Sequence, residues 1–197
     1  MTSRKIVFLA LILATILSAG FFVFLFQREA QIRPLPILGG VQDFLLYDAH
    51  GQEVTLESLK GKIWVADFIF TTCSGICPVM TGHMLSLHRS FLLDDNVRMV
   101  SFSVNPEQDS PEVLAQYAKK YKVDFRKWHF LTGDPQVIQK LSLESFKIGS
   151  VKEPIFHSDR FVLVDFQARI RGYYEGTSKN KINLLFRDIA RLLKERI

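Results

Sequence analysis

The apolar positions of this chain follow several distinct rhythms. Residues 6–26, IVFLALILATILSAGFFVFLF, are apolar or small without a charge. IWVADFIF (63–70) and VRMVSFSV (97–104) are short, near-continuous, β-rich apolar runs, the pattern of strands covered on both faces. VQDFLLYDAHGQEVTL predicts two short strands around a turn at Asp48–Gly51. Trp128–Leu131 is a further short strand, and FVLVD (161–165) and ARIRGYY (168–174) are two strands joined by a tight turn. Helical spacing takes over elsewhere. Pro78 suits a first helical turn, where its missing N–H costs nothing, and predicts a helix over about 77–92. Asp109-Ser110-Pro111 opens another, with Leu114, Tyr117 and Ala118 on one face. Asp134-Pro135 caps a helix over Gln136–Leu143. Residues 178–196 form a basic amphipathic helix with Ile182, Leu185, Ile189 and Leu192 on its apolar stripe.

The order βαβα, then two adjacent strands, then a helix, predicts an α/β fold. Its form is a thioredoxin-like mixed sheet flanked by helices, with an antiparallel closing pair and an N-terminal hairpin extension. The chain shows no internal repeat and no low-complexity tract.

The first apolar run is long enough to change this picture. At 1.5 Å per residue its roughly 21 residues reach about 31 Å, the thickness of a bilayer's hydrocarbon core. A secretory signal has a shorter apolar region ending in small residues. Here Ser18-Ala19-Gly20 is followed by FFVFLF, so cleavage would leave an apolar terminus. The expectation is an uncleaved transmembrane helix. Arg4 and Lys5 precede it, whereas Arg28 is offset by Glu29, which keeps the N-terminus in the cytoplasm. With no Arg- and Ser-rich transit segment ahead, the far side is read as a bacterial periplasm. The predicted organisation is a cytoplasmic tip (1–5), a membrane anchor (6–26), a linker (27–38) and a folded domain (39–197).

Charge adds little. The net +5 over 197 residues is spread along the chain, without basic blocks or basic-aromatic interleaving, which argues against nucleic-acid binding. Cysteine usage adds more. Both cysteines, Cys73 and Cys77, lie in FTTCSGICPVMTGHM (70–84), where the buried strand ends and the helix begins. A thiol at a helix N-terminus meets unpaired N–H groups and a positive field, which favour thiolate, the form that attacks disulfides and binds metals. Neighbouring Thr71, Thr72, Ser74, Gly75 and Pro78 argue against an apolar burial site for two structural thiols. On a helix, positions four apart face the same way, about 6 Å apart at Cα. A disulfide tolerates that span, so a redox pair is possible. Two sulfurs can equally converge on one soft ion, which suits copper(I) better than zinc, since a structural zinc site wants four ligands.

A third ligand must then be histidine, of which there are five. His50 lies in a predicted turn. His83 and His88 follow the thiols on the helix, one on another face and one far down it. His129 reads as a partly buried strand residue. His157, in EPIFHSDRF, stands before the strand FVLVD, and in a thioredoxin-like sheet the loop entering that strand passes beside the thiol helix. Ser158 or Asp159 is placed by sequence to accept the other imidazole N–H. Met80 and Met84, four apart near the face of Cys77, read as core.

These segments resemble the Sco/SenC copper proteins of cytochrome c oxidase assembly. The resemblance rests on DFIFTTCSGICPVMT (67–81), SFSVNPEQDSPEVLAQYAKKY (101–121), GDPQVI (133–138), FHSDRFVLVD (156–165) and IRGYY (170–174). It implies that Cys73, Cys77 and His157 bind copper, as copper(I) or copper(II), on a thioredoxin-like fold. It implies a metallochaperone rather than an enzyme, delivering copper to the dinuclear centre of oxidase subunit II. An upstream periplasmic copper donor and a thiol reductant are the further partners. One position departs from the pattern: Asn105 stands where the family often has Asp, while Asp109 is in place. The competing reading is a periplasmic thiol-disulfide oxidoreductase that uses Cys73 and Cys77 as a redox pair and leaves His157 incidental. A thiol peroxidase is a third reading, and it would turn over peroxide rapidly.

Overall fold

A computed structural model of the chain describes residues 2–32, 34–149 and 158–195, with side chains in the first helix described at 7–8 and 11–24. The chain forms two compact units, Met1–Pro34 and Leu35–Ile197.

The first unit is a helix, α1 (Thr2–Ile32). Its described side chains are exposed on every side. Among the described residues no helix is long and apolar enough to cross a membrane.

The second unit is built on one mixed sheet. In chain order its elements are β1 (Gly39–Gly40), β2 (Leu45–Asp48), β3 (Glu53–Thr55), α2 (Leu56–Leu59), β4 (Ile63–Ile69), α3 (Cys77–Ser90), β5 (Val97–Ser103) and α4 (Pro111–Tyr121). There follow β6 (Trp128–Thr132), α5 (Pro135–Lys140), a π-helical turn (Leu141–Ser145), β7 (Arg160–Val164), β8 (Arg169–Glu175) and α6 (Lys179–Glu195). The strand order is β1-β8-β7-β4-β5-β6-β2-β3. The central strands β4, β5 and β6 are parallel, because α3 and α4 carry the chain back between them. β7 joins β4 antiparallel and β2 joins β6 antiparallel. The expected hairpin is therefore an extension of the main sheet, and the two-residue β1 covers the outer edge of β8.

Every residue of β4 is buried, as its sequence predicts. Alternation sends Ile63, Val65 and Ile69 into one core with α3, α4 and α6, and Trp64, Ala66 and Phe68 into a second core with α2, α5 and the π turn. In α3 the buried positions Cys77, Met80, Thr81, Met84, Leu87 and His88 make one stripe against the sheet. In α4 Ser110 caps the start, accepting from Val113 N–H at 3.4 Å, and Lys122 ends the helix in the left-handed region at φ 54°.

Three elements differ from expectation, one of them β1, which has no signal in the sequence. The helix predicted over Gln136–Leu143 stops at Lys140 and widens, with Phe146 N–H reaching back to Leu141 O at 2.9 Å. The widening turns both Leu141 and Phe146 into the second core. The short α2, where no helix was expected, rests on a capping box between Thr55 and Ser58. One turn is too short to show helical periodicity.

Candidate metal centre

β4 delivers the chain to the sheet's end at Ile69, and α3 begins at Cys77. Between them a turn closes with Cys73 N–H donating to Phe70 O at 3.2 Å. Cys73 thus precedes the helix and does not share its face by helical spacing. The two thiols are nonetheless free and close enough to shift each other's ionisation. No side chain caps α3. The unpaired backbone N–H groups of Gly75, Ile76 and Cys77 instead favour the ionised form of the Cys73 thiol.

This geometry makes the pair unequal. At Cys73 partial burial pushes the thiol up, but the hydrogen bonds from Cys77 and from the helix-start N–H groups outweigh it and bring it below the ordinary thiol range. At Cys77 burial pushes the thiol up, and the bond it donates to Cys73 pushes it further, against a smaller opposing contribution from the Phe70 backbone. The flanking polar residues argue against burial of the pair. That holds for Cys73, which is half-buried, while Cys77 is 1% exposed and belongs to the core. Its position on the buried stripe of α3, in the core that also holds Met80 and Ile69, explains the difference.

His157 lies outside the described residues, and among the described residues no third histidine, cysteine or acid joins the two sulfurs. The other four histidines have separate duties. His83 Nδ1 donates to Gly176 O at 2.7 Å. His88 is buried, with Nε2 accepting from Asp124 N–H at 3.1 Å. His129 stands on β6, and His50 is exposed, edge-on to the Phe125 ring. Met80 and Met84 are fully buried core residues, as expected. The described end of the loop that bears His157 is anchored to the thiol helix. Asp159 O accepts from Gly176 N–H at 2.6 Å, and Gly176 lies so close to Met80 that a Cβ there would come within 2.9 Å of it. Ser158 Oγ accepts from Arg160 N–H at 3.2 Å, and Asp159 faces Arg160.

Two buried acids stand near the site: Asp67, to which the sequence reading gave no role, and Asp109, which it noted only as matching the family pattern. Asp67 sits inside the apolar run of β4, fully buried, with no hydrogen-bond partner for either carboxylate oxygen. Strand alternation aims it to the α3 side, opposite Ser101, whose hydroxyl is engaged by Trp128 Nε1 at 2.9 Å. Burial pushes its carboxyl up to about 7, with Ser101 opposing in part. The charge in an otherwise apolar run was the available signal. The second, Asp109, grips Thr71 from the β5–α4 connection. Asn105, the departure noted above, makes backbone bonds there, its carbonyl accepting from Asp109 N–H at 2.9 Å.

The parallel βαβαβ core, the antiparallel closing strands and a dithiol at the strand-to-helix junction define a thioredoxin-like dithiol domain. Residues 39–194 match SCO1/SenC, and the chain belongs to that family. It is 38% identical over 181 residues to the SCO1 protein homolog of Bacillus subtilis, covering 88% of this chain and 93% of that protein. Among solved structures, it is similar to BsSco, described as a member of the Sco family of cytochrome c oxidase assembly proteins with a disulfide switch. The identity is 36% and the TM-score 0.73, over 83% of this chain and 98% of that one. Copper-bound ScoI of Bradyrhizobium japonicum is 26% identical with a TM-score of 0.63, over 78% of this chain and 99% of that one.

Proposed function

We propose that this protein is a membrane-anchored copper metallochaperone for the dinuclear copper centre of cytochrome c oxidase. The observation that carries the proposal is the pair of free, adjacent sulfurs at the start of α3, with Ser74, Gly75 and Pro78 exposed around them. Two thiolates and a neutral imidazole suit copper(I), and a three-coordinate ion near the surface leaves a side open to an incoming ligand. His157 is the third ligand in this reading. Its support is the anchorage of Asp159, two residues on, through Gly176 to Met80 and His83 of α3. Copper-bound ScoI adds support from a relative.

Oxidase subunit II is the client, served through an upstream periplasmic copper donor and a reductant for the thiols. Residues 6–26 anchor the chain in the cytoplasmic membrane as a single span, with the domain in the periplasm. The support is in the sequence, where residues 6–26 are uncharged over a length that matches a bilayer's hydrocarbon core.

The test is oxidase activity in cells lacking the protein, with and without added copper. Rescue by copper is the expected result. Failure of copper to rescue, together with rescue by a small thiol reductant, contradicts delivery. That outcome would select the second reading, a thiol-disulfide oxidoreductase that keeps client cysteines reduced. The inequality of Cys73 and Cys77 favours it as an accompanying activity, because a more accessible, more acidic nucleophile and a buried resolving thiol are what disulfide exchange uses.

A further inference from the structure

Asp109 is fully buried, yet its carboxylate is fully engaged. It accepts from Thr71 N–H at 3.1 Å, from the Thr71 hydroxyl, and from Ser103 Oγ at 2.6 Å. Ser103 Oγ in turn accepts from Asn105 N–H at 3.1 Å, and Asp109 N–H donates to Asn105 O at 2.9 Å, so the acid's own loop is fixed at both ends. Its position is also tied to the sheet, because Val104 N–H donates to Ile69 O at 2.8 Å just beyond the paired strands.

Thr71 is where this rigidity is transferred. The turn that closes with Cys73 N–H on Phe70 O has Thr71 as its second residue. From the last residue of β4, the covalent path to Cys73 runs through Phe70, Thr71 and Thr72. A carboxylate that holds both the N–H and the hydroxyl of Thr71 fixes that residue's backbone and rotamer together. The turn then has little freedom to swing the Cys73 sulfur away from the N–H groups at the start of α3.

We propose that Asp109, acting through Thr71, is a positioning residue for the thiol pair: it holds the turn that keeps Cys73 against Cys77. The proposal rests on reading Cys73 and Cys77 as the working pair, and it holds whether they carry copper or electrons. Asp109 touches neither sulfur in this role. Its carboxylate presents acceptors to three donor groups, and no neutral side chain of the same shape does so.

The test is metal-free. The reduced full-length protein is equilibrated with glutathione disulfide. Each Cys73–Cys77 disulfide formed releases two glutathione thiols, so two electrons and two protons pass from the protein to the glutathione. The equilibrium constant reports how well the sulfurs are placed for each other. Asp109→Asn is expected to lower it about tenfold, since loosened approach costs effective concentration. Thr71→Val, which loses the hydroxyl, is expected to lower it by a smaller factor. Thr71→Ser, which keeps both donors, is expected to leave it at the parent value. The double variant Asp109→Asn/Thr71→Val is expected to be no worse than Asp109→Asn alone. Thermal melts run alongside. A lower melting temperature with an unchanged constant in Asp109→Asn assigns Asp109 to the fold alone and overturns the proposal. Equal constants in Thr71→Val and Thr71→Ser overturn it as well, and that comparison stands even if Asp109→Asn fails to fold. Because copper is absent, failure of the metallochaperone reading leaves this result untouched.

Discussion

Asp67→Asn tests the electrostatics beneath the thiols. The side chain is fully buried in the central strand and its oxygens lack hydrogen-bond partners. Burial raises its carboxyl from 3.8 to about 7. A rise of about 3 units at 1.36 kcal/mol per unit makes the ionised form cost about 4 kcal/mol of stability. The sign follows from proton counts. Below pH 3.8 both folded and unfolded chains hold the proton. As pH rises towards 7 the unfolded chain releases it and the folded one keeps it, so stability falls through that window and levels off above it. About 2.5 kcal/mol of the loss lies between pH 5 and pH 8. The asparagine variant keeps the side chain's shape and has no such titration. The assay is urea denaturation from pH 5 to pH 8, followed by fluorescence of the fully buried Trp64 and Trp128. The parent is expected to lose about 2.5 kcal/mol relative to Asp67→Asn across that range. His88 and His129 titrate in both proteins and cancel in the difference. Parallel stability curves would refute the reasoning.

Three further outcomes follow from the same physics. With limiting iodoacetamide near pH 7, Cys73 is expected to be alkylated well before Cys77, because the helix-start N–H groups favour its thiolate while Cys77 is buried; mass spectrometry of the peptides showing Cys77 modified first would contradict this. Arg171→Met is expected to cost about 3–5 kcal/mol, read as a drop in denaturation midpoint, since it leaves buried Asp165 short of a partner and releases the Leu35 and Pro36 carbonyls and Glu195. His88 is held below its ordinary 6.5, first by burial, so the unfolded chain takes up a proton that the folded one refuses, and stability falls as pH drops below about 6.5; His88→Gln is expected to flatten that acid-side slope, and an unchanged slope would count against it.

Much of the fold was legible because its elements are separated by composition. β4 and β5 are short apolar runs, α4 and α6 carry clean stripes, and Pro78, Pro111 and Pro135 mark three helix starts. Elements set by tertiary contacts were not legible. The π turn exists to seat Leu141 and Phe146, and β1 exists because β8 has an edge to cover. At the site, the cysteines and their place at a helix start were plain from the sequence. Their inequality was not, since it depends on which sulfur faces the N–H groups and which faces the core. The Asp109–Thr71 contact joins residues 38 apart, and no local pattern encodes such a pairing.

In the proposed centre a copper ion is held by Cys73, Cys77 and His157. The most direct measurement is the X-ray absorption spectrum of the reduced full-length protein loaded with one equivalent of copper(I), recorded beside His157→Ala. The expected parent spectrum has two sulfur neighbours and one nitrogen, and the variant loses the nitrogen and binds more weakly in competition with a chelator. A parent that takes up no copper, or a variant with an unchanged spectrum and affinity, would contradict the account.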